Sequence, residues 1–319
     1  MAAQKSQKRS SRPSGRRPGK VDVLGMGIIP FDILYTIDKY PAAESKIDAS
    51  DFCTQGGGPA PNAMVALSRL GIKTAIIAAV GDDLFGRYSI EEMEQEGVDV
   101  RAVVVKKKPS AIATGYIEKG SGRRTMVLYR DITVEPRDIK TSLLPLPRVV
   151  HLDGRDMPAT MKLARWARRV GTMVSFDIGS IRNDVSEVFG LVDHLVVADS
   201  YAFPFTGCRT VRGAIKKLRA LCPGTIVVTE GLRGSTGYEN SDIVTQKAFR
   251  VKSVDTTGAG DAFHAGYIYG LLNGFSLAER LRFGAAVAAF KCTRPGGRSG
   301  LPTVSQVRKF LKSRPRTYA

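Results

Sequence analysis

No stretch of this sequence approaches the roughly 20 consecutive apolar residues that a membrane-crossing helix requires, so a helical span is not expected. No apolar segment separates the basic N-terminal residues from Val21, and a secretory signal is not expected either. The four cysteines, Cys53, Cys208, Cys222 and Cys292, lie far apart, form no C-x-x-C pair and have no histidine-rich neighbourhood. That argues against a zinc site and a disulfide framework, and it fits a reducing, cytoplasmic setting with Cys53 and Cys292 as small apolar packing groups. Acid is absent from Met1 to Lys20, where Lys5, Lys8, Arg9, Arg12, Arg16, Arg17 and Lys20 stand among Ser, Gly and Pro. Residues 1–20 are therefore expected to be a disordered basic tail, able to hold loosely to nucleic acid or an anionic surface. A solubilising extension explains the tail more simply.

What is present is enough for a substantial core: 319 residues with 43% apolar content, in one large or two modest domains. The net charge of +18 leaves +11 outside the tail, which suits a polyanionic substrate. Val21–Ile29 reads as a buried first strand. Its Gly25-x-Gly27 resembles a dinucleotide fingerprint only weakly, because no third glycine opens a helix behind it. Asp32 then interrupts an apolar stretch, either as a turn residue or as an acceptor for a polyhydroxylated ligand. Gly56-Gly57-Gly58-Pro59-Ala60-Pro61-Asn62 precedes a helix with Met64, Leu67 and Leu70 on one face and Gly71 at its end. Capping would explain Asn62, but three consecutive glycines carry an entropic cost that backbone lying against a ligand would account for.

A strand over Ala75–Val80 leads to an acidic helix, Tyr88 to Glu96. Ala111–Glu118 and Arg124–Tyr129 alternate around Lys119-Gly-Ser-Gly122 as a hairpin. From Val149 onward strand and helix alternate: Val149–Leu152, helix Ala159–Val170, Thr172–Phe176, His194–Val197, helix Val211–Leu221, Thr225–Thr229. That rhythm predicts a parallel sheet covered by helices on both faces. A second glycine-rich turn, Thr229 to Tyr238, sits at a strand's carboxyl end, and a last helix runs from Leu277 to Thr293.

The most informative stretch is Val251 to Gly270. A strand over Phe249–Val254 is expected to enter the loop Thr256-Thr257-Gly258-Ala259-Gly260-Asp261, after which the apolar spacing becomes helical. Small residues at Gly258, Ala259 and Gly260 let backbone N–H groups meet an anion at a helix N-terminus. Asp261 is either a cap in this turn or a carboxylate that the helix start keeps ionised, ready to take a proton from an incoming hydroxyl.

Together these residues resemble the ribokinase-like carbohydrate kinases, also called the phosphofructokinase-B (PfkB) family, from about Val21 to Leu311. Two signatures carry the likeness: Gly57-Gly58-x-x-x-Asn62 with its helix, and Asp255-Thr-Thr-Gly-Ala-Gly-Asp261-Ala-Phe-x-Ala-Gly. The resemblance implies a three-layer α/β/α sandwich over residues 21–315, with a mostly parallel central sheet and a small β-sheet lid drawn from about 32–51 and 111–130. It implies phosphoryl transfer from ATP, with Mg2+, to a hydroxyl of a sugar or similar small molecule. Asp261 would be the general base and the Gly258, Ala259 and Gly260 backbone the anion hole. Asp32, Glu44, Gly57, Gly58 and Asn62 would meet the sugar, and Arg124, Thr229, Gly231 and Gly234 the ATP. Asp255 and Thr257 match a monovalent-cation (K+) site, to which the loop Arg294 to Gly297 would add backbone oxygens. Arg124 and Glu44 follow the ketohexokinase-like members, and a homodimer through paired lids follows the family. The N-x-x-E motif that helps organise Mg2+ in many members is absent: Ala198 and Tyr201 stand there, with Asp199 as a substitute. A nucleoside kinase of the same fold, and a catalytically weak relative tethered by its tail, are the rival readings.

Overall fold

The computed structural model describes residues 20–179 and 184–314, so the expected basic tail, apart from Lys20, lies outside the described residues. In chain order the strands and helices begin with β1 (Val23–Met26), β2 (Phe31–Ile37), β3 (Asp51–Gly56), α1 (Pro59–Arg69), β4 (Thr74–Gly81), α2 (Leu84–Gln95) and β5 (Asp99–Lys106). Next come β6 (Ile112–Glu118), β7 (Arg124–Tyr129), β8 (Val149–Leu152), α3 (Met157–Arg169), β9 (Met173–Ile178), β10 (His194–Ala198), α4 (Asp199–Thr206) and α5 (Val211–Leu218). The chain closes with β11 (Thr225–Thr229), β12 (Ser235–Glu239), β13 (Asp242–Gln246), α6 (Ala259–Leu272), α7 (Leu277–Lys291) and α8 (Val304–Lys312).

Among the described residues nine strands form one sheet in the order β13-β12-β11-β10-β9-β8-β1-β4-β5. Pairing is parallel from β11 through β5, and only the β11–β12–β13 edge is antiparallel. The central strands are buried on both faces, as the near-continuous Val and Ile runs require. Alternate residues feed two separate cores. Leu24, Ile77, Val150, Phe176 and Val197 pack under α3 and α5, whereas Val23, Ile76, Ala78 and Val149 pack under α1, α6 and α7. This is the expected α/β/α sandwich.

A second, four-stranded sheet has the order β3-β2-β6-β7. It contains the expected hairpin, with Tyr116 opposite Thr125, and it corresponds to the expected lid. The lid extends past residue 51 because β3, paired antiparallel with β2, runs to Gly56.

Some elements differ from the sequence expectation. Residues 249–254 form no strand. The Phe249 ring packs edge-on against Phe310 of α8, and Val254 N–H donates to Cys292 O at the end of α7, so helix contacts replace a sheet partner. The edge hairpin β12–β13 was not expected, since its polar, glycine-containing strands lack an alternating apolar face. Helix α1 begins at Pro59, not Ala63. Gly58 is its N-cap with φ 95°, which leaves Asn62 in the first turn instead of at the cap.

Helices α6 and α7 cross through glycine. A Cβ on Gly266 would lie 2.8 Å from Gly284 Cα, so the two backbones touch and the direction of α6 is set by that contact. Gly266→Leu should push the helices apart and cost about 1–3 kcal/mol of stability. Urea denaturation reads this as a lower midpoint, and an unchanged midpoint would contradict the packing argument.

Candidate active site

The loop ahead of α6 reaches the carboxyl edge of the large sheet, where open α/β sheets bind ligands. Gly258 caps the helix with φ 73°, and a Cβ there would lie 2.9 Å from Gly297 O, so glycine is required by both conformation and space. A Cβ on Gly260, by contrast, would meet nothing within 4 Å. Bare backbone therefore faces open space at a helix start, where first-turn N–H groups lack a carbonyl one turn earlier. The residues present fit a phosphate group there.

Asp261 stands in this first turn and accepts a 2.7 Å hydrogen bond from Asn62 Nδ2. The two signatures, 199 residues apart, thus meet in one contact. Burial, and next the charge of Asp177, push the Asp261 carboxyl up to about 7, while the Asn62 bond works in the opposite direction. The expectation that the helix start would keep this group firmly ionised is weakened, because desolvation holds the carboxyl near neutrality. Asp32 is 4% exposed and is likewise raised to about 7 by burial, opposed chiefly by the Arg298 charge.

Arg298 was not singled out from the sequence, where it is one arginine in a loop. It is 2% exposed and donates through Nε to Asn62 Oδ1 at 2.9 Å, through Nη1 to Glu92 at 2.8 Å and through Nη2 to Gly57 O at 3.3 Å. It thereby fixes the Asn62 amide so that its NH2 faces Asp261. The glycine triplet follows from the same packing. A Cβ on Gly56 would lie 2.5 Å from Glu92, one on Gly57 2.2 Å from the Asp32 carboxylate, and one on Gly58 2.0 Å from Ile28 O. Protein groups, not only a ligand, demand these three glycines.

Other expected residues are placed variously. Arg124 is exposed on β7 of the small sheet, and its charge lowers both Asp32 and Asp261. Glu44 is exposed in the β2–β3 connection with φ 59°, away from this cluster of hydrogen bonds. Thr229 ends β11 and donates to Val197 O at 3.4 Å. Gly231 has φ 56°, and Gly234 has φ 112° with Gln246 O where a Cβ would stand, so these glycines shape the turn into β12.

Beneath α6, His264 Nε2 pairs with Asp177 at 3.0 Å. His151, Asp177 and His264 offer ligand atoms within 4.8 Å of one another, all three buried. Burial and the neighbouring His264 lower His151 to about 3. This buried cluster lies one helical turn from Asp261, and the Asp177 and His264 charges act on that carboxyl. Arg155, half-buried after β8, also feels the Asp261 charge. Tyr201 is 2% exposed and stacks on Phe205, and Asp199 is paired with Arg233 at 2.6 Å. The position of the missing acid is thus used for core packing.

Removing Arg298 would strand Glu92 and release Asn62. Arg298→Met should therefore cost about 3–5 kcal/mol, read by chemical denaturation. A loss below about 1 kcal/mol, the value of an exposed pair, would show the network to be incidental.

Comparison with known proteins agrees with this geometry. The model of the "pfkB family carbohydrate kinase" matches residues 20–304. A nucleoside kinase of Methanothermobacter thermautotrophicus is 27% identical over 297 residues, covering 91% of this chain and 95% of that protein. A 5-dehydro-2-deoxygluconokinase of Clostridium perfringens is 26% identical, covering 94% of this chain and 95% of the relative. The solved structure of ribokinase from Thermotoga maritima superposes with a TM-score of 0.82 at 24% identity, covering 92% of this chain and 99% of its own. Such kinship over almost the whole described length, with both signatures meeting at Asn62 and Asp261, leads to one conclusion: the chain belongs to the pfkB family of carbohydrate kinases, with the ribokinase-like α/β fold.

Proposed function

We propose that this kinase transfers the γ-phosphoryl group of ATP to a hydroxyl of a small sugar or sugar-like substrate, with Asp261 as general base. The observation that carries the proposal is the Asp261 carboxylate, held by Asn62 at 2.7 Å, beside the open space in front of Gly260. Asp32 and Asn62 present an acceptor carboxylate and an amide to vicinal hydroxyls. Gly258, Ala259 and Gly260 offer backbone amides to the charge that develops on the transferring group. Arg124 approaches the same place from the small sheet, and Thr229, Gly231 and Gly234 line the turn assigned to the nucleotide. Further neutralisation is supplied by Mg2+ carried on the phosphates of ATP. The small sheet would cover the acceptor and exclude water, which could otherwise take the phosphoryl group. Its exposed Phe52, Val127 and Tyr129 support pairing with a second copy through the lid.

A nucleoside acceptor is the second reading, favoured by the name of the Methanothermobacter relative and by the fact that ribose carries the same vicinal hydroxyls. ADP release measured across pentoses, hexoses, keto-sugar acids and nucleosides separates the two by kcat/KM. Failure with every class would remove both.

Asp261→Asn should keep ATP binding, measured by calorimetry, and lose about 10²–10⁴-fold in kcat. Near-normal turnover would remove the base assignment. A protonated carboxyl cannot accept the substrate proton, so kcat/KM should fall as pH drops below about 7 and level off above it. Burial raises Asp32 to the same value, and the Asp261 charge adds to that shift. Two carboxyls that repel lose their protons in two macroscopic steps, so the acid limb should be broader than that of a single group. A profile flat between pH 5 and 8, the range expected of an unperturbed carboxylate, would contradict the assignment.

A further inference from the structure

Behind the anion-binding turn lies a lysine that the chemistry above does not use. Lys291 ends α7 and is 0% exposed. Its Nζ donates to Asp255 O at 2.8 Å and to Arg294 O at 3.5 Å. A buried ammonium is costly unless an opposite charge and hydrogen bonds compensate it. The opposite charge is Asp255, also 0% exposed. Its Oδ1 accepts from Thr257 N at 2.8 Å and Thr257 Oγ1 at 2.7 Å, and its Oδ2 accepts from Gly296 N at 2.7 Å. Asp255 N–H and Val254 N–H both donate to Cys292 O, the residue after Lys291. One closed knot of ammonium, carboxylate and backbone thus joins residues 254–257 to residues 291–296, immediately beneath Gly258.

The family likeness implied a monovalent cation at Asp255 and Thr257, with backbone oxygens from the 294–297 loop. The residues present do not fit such an ion. Arg294 O and Asp255 O face the Lys291 ammonium, so an ion held by these oxygens would stand against a fixed like charge in a buried space. An ammonium and a potassium ion carry the same charge and are both satisfied by carbonyl oxygens.

We infer that Lys291 is a tethered cation standing in for a mobile monovalent ion, and that it positions the anion-binding turn of α6 without potassium. Lys291 is then a positioning residue. It touches neither substrate, but it fixes the loop whose amides meet the phosphoryl group, and its charge reaches Asp261. Burial lowers the Lys291 pKa, and the Asp255 charge counters that effect. The catalytic half of the inference rests on the proposed kinase reaction, whereas the structural half stands without it.

The test uses the full chain and three proteins: wild type, Lys291→Ala, which opens room for an ion, and Lys291→Met, which fills it with an uncharged chain. KCl and NH4Cl are titrated at constant ionic strength against tetramethylammonium chloride. Wild-type turnover and melting temperature should not respond to K+. Lys291→Ala should lose about 10- to 100-fold in kcat, the scale of a small misplacement, with a lesser change in KM. K+ or NH4+ should restore its turnover and raise its melting temperature, while Lys291→Met should respond to neither. A wild-type protein activated or stabilised by K+ would overturn the inference, as would a folded Lys291→Ala that the ions leave unchanged. If Lys291→Ala does not fold, the wild-type titration decides alone. If the wild type phosphorylates no acceptor, the kinase reading fails while the melting series still decides the role of Lys291.

Discussion

One guanidinium sets the register of the site. Arg298 is almost fully buried and spends its donors on three segments that are remote in sequence: the first turn of α1 through Asn62, the glycine run through Gly57 O, and α2 through Glu92. Because Arg298 occupies Asn62 Oδ1, the amide nitrogen is the end left to face Asp261. A buried arginine tolerates no unsatisfied alternative, so this arrangement is selected by the cost of every other one. The half of this cluster built from β2, β3 and α1 is thereby locked to the loop that follows α7.

Against that frame the two carboxylates, Asp32 and Asp261, are both lifted to about 7 by burial, and the Asp261 charge adds to the Asp32 shift. A carboxyl near neutrality is a better base for a hydroxyl than one at its ordinary value, since it holds a proton more strongly while still being ionised in a useful fraction of molecules. The Asn62 hydrogen bond lowers the cost of ionising Asp261, and the neighbouring Asp177 raises it. His264 limits the Asp177 effect by pairing with it. The tuning of Asp261 therefore depends first on its burial and next on Asp177 of β9, with smaller effects from Asn62, Arg124 and His264.

Much of this was legible from the chain itself. The strand–helix rhythm after Val149 and the hairpin around Gly120 follow from apolar spacing and turn residues, and both are present. The helix start at Gly258–Asp261 is likewise where the small residues and the change of periodicity put it. Residues 249–254 misled because an apolar, β-prone stretch can satisfy itself against helices α7 and α8 as well as against a strand. The β12–β13 edge was missed for the converse reason, since polar edge strands carry little periodic signal. The glycine triplet was read as making room for a ligand, whereas Glu92, Asp32 and Ile28 O already occupy the space that side chains there would need.

The sequence by itself determined the fold class and drew notice to Asp32, Asn62 and Asp261, because patterning, turn chemistry and signature spacing are written in neighbouring residues. Only the tertiary structure decided that Asn62 binds Asp261, that Arg298 holds Asn62, that burial lifts Asp261 towards neutrality, and that Lys291 puts an ammonium where a free cation was expected. Each of these depends on which side chains desolvate one another across more than a hundred residues or between neighbouring loops. Desolvation is a property of the assembled interior and leaves no trace in local spacing.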